Sequence, residues 1–341
     1  MGCAKQEMFF PSRLPAGPRN AISDVPGVTV GHCTLSDGPV QTGVTAVLPH
    51  PGNLFREKLP AGCAVFNGFG KTAGLLQLRE LGTLETPIVL TNTLSVGTAY
   101  TALVKRALAR NPEIGVSTGT VNPVVCECND GALNDIRGLH IREEHVVQAL
   151  ENASADVEEG AVGAGRGMCS YGCKGGIGTA SRLADAGPRS FCVGCLVLTN
   201  HGRAGDLRLA GRPFSPDADR EPDLGSVITI LATDAPLSAR QLERLSRRAI
   251  AGLCRSGSIL GSGSGELAIA FSTATRIPHW PEEDVFSLPM LHENHMDALF
   301  AAAAEAVEDA VLSSLLHAES VRGVRGSEAR SLAERLRELS P

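Results

Sequence analysis

At 341 residues the chain has the length of one large domain or two medium ones, and its 43% apolar content supplies an ordinary globular core. The formal net charge of -6 leaves no basic surface for nucleic acid or an anionic membrane. No apolar run reaches membrane-spanning length, and residues 1–6 (MGCAKQ) lack the apolar core of a signal peptide, so the expectation is a cytoplasmic protein.

The ten cysteines are scattered. Cys192 and Cys195 form a C-x-x-C, but inside the apolar run 191–198, and no second pair completes a zinc site. They read as small core residues in a reducing compartment, with no metal or other cofactor expected.

In chain order, residues 1–19 read as a loose or docking arm. Strands are expected at 28–30 and 45–48, punctuated by Pro26-Gly27, Gly31 and Gly43. The stretch 67–72 (NGFGKT) misses a phosphate-binding loop, because position 65, where that motif needs Gly, is Val65. A helix over 73–81, a strand over 87–90 and a helix through 102–108 follow. Residues 124–128 form a short strand in which Glu127 is out of place. A carboxylate among apolar neighbours must be paired or face a cleft, unless this is an exposed strand end. A helix over 143–152 precedes the glycine-dense stretch 160–178, read as loops around a cleft or tight sheet packing. The strand 191–198 ends at Thr199-Asn200-His201-Gly202, a usual place for an amide to point into a site.

A Pro- and Asp-rich loop (213–223) then runs into Gly225-Ser226 and the apolar strand 227–233. Taken alone, Gly225-Ser226 is a turn before a strand. If the bond between them were cut, Ser226 would carry its own base, an α-amine with a pKa of about 7.7–8.0. Ser238 and Gln241 form a capping box for a helix that buries Leu242, Leu245, Ala249 and Leu253. Ser262, Ser264 and Glu266 sit on a Gly/Ser lead-in to the strand 267–271, as a hairpin turn or as a polar cluster aimed at a cleft. An Ala-rich helix over 296–316 and an amphipathic tail over 328–339 complete the chain.

Six stretches together carry a resemblance: 20–32 (NAISDVPGVTVGH), 67–71 (NGFGK), 84–97 (LETPIVLTNTLSVG), 174–182 (KGGIGTASR), 225–226 with 232–237 (GS, ATDAPL), and 263–266 with 270–273 (GSGE, AFST). In order and register, from about residue 18 to about 318, the chain resembles the DmpA-like family of L-aminopeptidase/D-Ala-esterase/amidases and β-peptidyl aminopeptidases. The resemblance implies an α+β fold, an αββα four-layer sandwich of N-terminal-nucleophile type. It implies one catalytic domain cleaved into 1–225 and 226–341, with the cut between Gly225 and Ser226. By position, Ser226 matches the nucleophile, Ser264 and Glu266 the serine and acid beside it, and Asn200 the oxyanion-hole amide. Glu127 matches the carboxylate that receives the substrate's amino group. The family pattern has an aromatic residue two positions later, where this chain has Asn129, which leaves substrate preference open. Small peptides or amino-acid amides and esters would be the substrates, and a homotetramer of processed units the assembly. A nearer alternative keeps the fold and the processing but acts as an amidase or acyltransferase of a biosynthetic pathway; a reading of another class is an unprocessed phosphate- or nucleotide-binding protein.

Overall fold

The computed structural model describes residues 12–214, 225–281 and 283–338. The first eleven residues and most of the loop before Gly225 lie outside the described residues. The strands of the first half are β1 (Thr29–Asp37), β2 (Val40–Leu48), β3 (Glu57–Gly68), β4 (Ile88–Asn92) and β5 (Val124–Cys128). Those of the second half are β6 (Gly176–Ala186), β7 (Arg189–Asn200), β8 (Ser226–Thr233) and β9 (Gly265–Ser272). The helices are α1 (Leu75–Glu80), α2 (Val96–Arg110), α3 (Glu143–Glu151), α4 (Ala239–Ser246), α5 (Ala249–Arg255), α6 (Met296–Leu316) and α7 (Leu332–Glu338).

The smaller sheet has the order β1-β2-β4-β5, antiparallel except for the parallel pair β4/β5. The larger runs β3-β9-β8-β7-β6, with β8/β9 the parallel pair at its centre. Such sheets are covered on both faces, and their strands become almost continuously apolar. β8 shows this: Ile228, Ile230 and Ala232 enter the core between the sheets, and Val227 and Leu231 face the helices. Val47, Leu90, Cys126 and Cys128 meet them from the smaller sheet. The outer face of the smaller sheet packs Val44, Ala46, Val89 and Val125 under α2 and α3. That of the larger sheet packs under α4, α5 and the Ala-rich α6. The layers are helix, sheet, sheet, helix, the αββα sandwich expected.

The docking reading of the N-terminal arm holds for its described part. Ser12 Oγ and the backbone amides of Arg13 and Leu14 donate to Glu305 on α6, and Asn20 donates to Asp309, which also receives the buried Arg182 guanidinium. The single helix expected after the Ser238/Gln241 box is two helices. The box forms, but bonding tightens to the i-3 pattern at Arg248, which donates to the Leu245 carbonyl, and α5 starts anew. The glycine-dense stretch resolves into a 3-10 turn (Gly163–Gly165), a two-residue hairpin pairing Cys169–Ser170 with Cys173–Lys174, and the start of β6. Every described cysteine is free, and seven of the nine are buried. No described helix is long and apolar enough to cross a membrane.

Candidate active site

The larger sheet brings several of the sequence-predicted site residues together at one end of its strands. Asn200 ends β7, Ser226 begins β8, Gly265 begins β9 and Gly68 ends β3, and these four lie opposite one another in a single row. Ser226 is therefore flanked by Asn200 on one side and by Gly265 on the other, with Ser264 just before Gly265 and Glu266 just after it. A slip of one residue in either pairing would send Ser226 to the other face.

Ser226 follows the register of Ile228 and Ile230, so its hydroxyl faces the space between the sheets. Asn200, its direct cross-strand partner, shares that face, at a Cβ separation of roughly 4.5–5.5 Å for such pairs. Cys128 approaches from the opposite sheet, its thiol donating to the Leu198 carbonyl at 3.8 Å and lying beside the Ser226 hydroxyl. Burial and the nearby Glu127 carboxylate push the Cys128 thiol well above its ordinary pKa, so it stays neutral and does not compete as a nucleophile. The Asn200 amide is held at both ends: Oδ1 accepts the Cys169 amide at 2.9 Å, and Nδ2 donates to the Asn129 carbonyl at 3.0 Å.

On the other side of Ser226, the 261–264 turn is tied down. Asn67 Nδ2 donates to the carbonyls of Gly261 at 2.9 Å, Ser262 at 3.2 Å and Ser264. Ser264 is fully buried, and its Oγ finds no hydrogen-bond partner among the described residues. Glu266 is fully buried as well and opposes Asn67 on β3 and Val227 on β8. It falls in the register of Ala268 and Ala270, so it serves the helix-facing side of the sheet rather than the face of the Ser226 hydroxyl. At Gly225 a Cβ would stand 1.8 Å from the Asn200 carbonyl oxygen and 2.8 Å from His201 Cα, so the residue before Ser226 must be glycine.

Glu127 is no exposed strand end: it is only 4% accessible. One oxygen accepts the Lys71 backbone amide at 2.8 Å and the other the Thr93 hydroxyl. A carboxylate offers about four acceptor positions, so two remain for an incoming cation. Asn129 is exposed, and its side chain turns back to accept the Gly131 amide at 2.9 Å. The 67–72 stretch is a brace rather than a phosphate cradle: Asn67 holds the Ser264 turn, Lys71 N holds Glu127, and the Lys71 ammonium lies over the Phe69 ring. Sequence reasoning did not find Cys128, Thr93 or Asn67 as partners of the site, because each is recruited across strands. Among the described residues no group of three or more His, Cys, Asp or Glu is placed to hold a metal ion.

A profile of Peptidase family S58 matches residues 20–329. The chain belongs to peptidase family S58. It is 36% identical over 376 residues to the beta-peptidyl aminopeptidase BapA of Sphingosinicella microcystinivorans, covering 99% of this chain and 94% of that one. A Burkholderia sp. beta-aminopeptidase structure superposes with a TM-score of 0.90 at 39% identity, covering 100% of this chain and 99% of the other. The L-aminopeptidase D-Ala-esterase/amidase of Ochrobactrum anthropi, described as a variant of the Ntn hydrolase fold, gives a TM-score of 0.90 at 37% identity, covering 98% and 97%. The S58 chain is thus a hydrolase, an aminopeptidase acting on peptides, with the fold of that group.

Proposed function

We propose that Ser226 is the nucleophile of this aminopeptidase and is released by cleavage of the Gly225–Ser226 bond, leaving 1–225 and 226–341 folded together as one catalytic domain. The observation that carries this reading is the register that sets Asn200, Ser226 and Gly265 in one row, with Ser264 and Glu266 on either side of Gly265 in the chain. In the precursor the Ser226 hydroxyl attacks the Gly225 carbonyl carbon. The amide bond breaks, the nitrogen takes the proton, and an ester forms. Water hydrolyses that ester, leaving a Gly225 carboxylate and a Ser226 with a free α-amine.

In the mature site that amine takes the hydroxyl proton as Oγ attacks the substrate carbonyl, the logic of N-terminal nucleophiles. We assign Glu266, which serves the other face of the sheet from the hydroxyl, to orient the amine without blocking the nucleophile. Ser264, whose hydroxyl has no partner among the described residues, orients the amine and passes the proton on. The Nδ2 hydrogen of Asn200 left over from its bond to Asn129 receives the oxyanion, a contribution typically worth about 10²–10³ in rate. Glu127 takes the substrate's ammonium and confines cleavage to the first residue of small peptides, amides or esters. The short, folded-back Asn129 leaves room beside it.

We place the enzyme in the cytoplasm, with no nucleic-acid or membrane partner, as a homotetramer of processed units. The exposed apolar residues Trp280, Val285, Phe286, Leu288 and Met290 support burial against another copy. A panel of L-, D- and β-amino p-nitroanilides, each with a free or an acetylated amine, tests the substrate side. The free-amine compounds are hydrolysed and their acetylated forms are not. Equal rates on both would remove Glu127 from substrate binding.

A further inference from the structure

The buried cation of the glycine-dense stretch has no place in the mechanism so far. Lys174 is fully buried and, among the described residues, makes no ion pair. Its ammonium donates to three backbone carbonyls, of Met168 at 2.7 Å and of Gly165 and Gly175 at 2.8 Å. Burying a cation without a counter-ion is costly. Here burial lowers the lysine's pKa to about 7, with Cys169, Glu319 and Asp130 opposing that shift and Arg166 adding to it. Closing a surface loop does not call for such a group.

The three carbonyls belong to the two ends of one segment, 165–175, and that segment grips the end of β7. Cys169 N donates to Asn200 Oδ1, Ser170 Oγ donates to the His201 carbonyl at 2.7 Å, and Tyr171 N donates to the same carbonyl at 3.0 Å. At Gly175 a Cβ would stand 2.4 Å from the Thr199 carbonyl oxygen, so the segment lies directly on the strand. The Cys169 contact decides the chemistry of the amide. A backbone N–H can face only an acceptor, so it fixes which end of Asn200 is oxygen and which is nitrogen. With Oδ1 on Cys169 and one Nδ2 hydrogen on the Asn129 carbonyl, one N–H remains, and its direction is set. A relaxed segment would let the amide turn and offer an oxygen lone pair to the oxyanion.

We infer that Lys174 is a positioning residue for hydrolysis: by clamping the 165–175 segment through three carbonyls it holds Cys169 against Asn200 and aims the remaining Asn200 N–H at the oxyanion. The inference rests on the assignment of Asn200 above. A double-mutant cycle of Lys174→Met and Asn200→Ala separates the two, with rates taken per processed chain. The clamp predicts that Lys174→Met lowers kcat by about 10²-fold, the scale of a misplaced catalytic contact, with KM within about twofold. It also predicts that the double variant is no slower than Asn200→Ala alone. Wild-type kcat in Lys174→Met, or losses that multiply in the double variant, would overturn the clamp while leaving Asn200 in place. Wild-type kcat in Asn200→Ala would instead remove Asn200 from the reaction, and the clamp's purpose with it. If Lys174→Met does not accumulate folded, Lys174→Gln, which keeps two donor hydrogens for the three carbonyls, enters the same cycle and the same outcomes decide.

Discussion

At the far end of β8 and β9, Thr233 and Ser272 lie opposite one another, as Ser226 and Gly265 do at the near end. The Thr233 hydroxyl donates to the Cys192 carbonyl at 2.8 Å and accepts the Ala235 amide at 3.1 Å. The Ser272 hydroxyl donates to the Ala235 carbonyl at 2.6 Å and accepts the Ala274 amide at 3.2 Å. Both are buried and both have their hydrogen-bonding used up in locking the turn that follows. At the near end the equally buried Ser264 hydroxyl is bonded to nothing among the described residues, and the Ser226 hydroxyl meets only a weakly bonding thiol. An unused buried polar group costs about 1–3 kcal/mol. The same strands therefore spend their hydroxyls on stability at one end and hold them back at the other, which is what a site requires and a turn does not.

Substitutions at the two ends should separate activity from stability. The largest effect is expected at Ser226: Ser226→Ala lowers kcat/KM by about 10⁴-fold or more, with little change in melting temperature. Activity within tenfold of wild type would move the nucleophile elsewhere. Next, Ser264→Ala lowers kcat by about 10²-fold or more, the lower range for a lost proton-handling group, while stability holds or rises slightly. Ser272→Ala at the other end does the reverse: kcat is unchanged and unfolding by urea costs about 1–2 kcal/mol less. If the two serine variants behaved alike, the distinction between the ends would fail. Glu127→Gln, the mildest change to the site, lowers kcat/KM about 10- to 150-fold on free-amine substrates, the equivalent of ~1.5–3 kcal/mol for a charged hydrogen bond. The loss falls mainly on KM, and a fall in kcat at unchanged KM would argue for a different role.

Local pattern exposed much of this. The uninterrupted apolar run after Gly225-Ser226 is β8, Glu127 stood out because its neighbours are apolar, and the Ser238/Gln241 box forms as read. The six motif stretches pointed to the four-layer sandwich that the two sheets and their helices show. What stayed hidden is what depends on pairing between distant strands. That Asn200, Ser226 and Gly265 share one row follows from two inter-strand registers, neither visible in a single strand. The 67–72 stretch misses the phosphate-loop motif, but nothing local to it shows that the Asn67 amide holds the Ser264 turn. Lys174 read as part of a glycine-rich loop, since periodicity does not reveal a cation whose partners are backbone carbonyls. The break between α4 and α5 carries no Pro or Gly to announce it.

The most direct test of the account is the intact mass of the purified wild-type chain under denaturing conditions, with N-terminal sequencing of each fragment. The account predicts two fragments, one beginning Ser-Val-Ile-Thr at Ser226. An active enzyme that remains a single uncut chain, or one cut at any other bond, would contradict it.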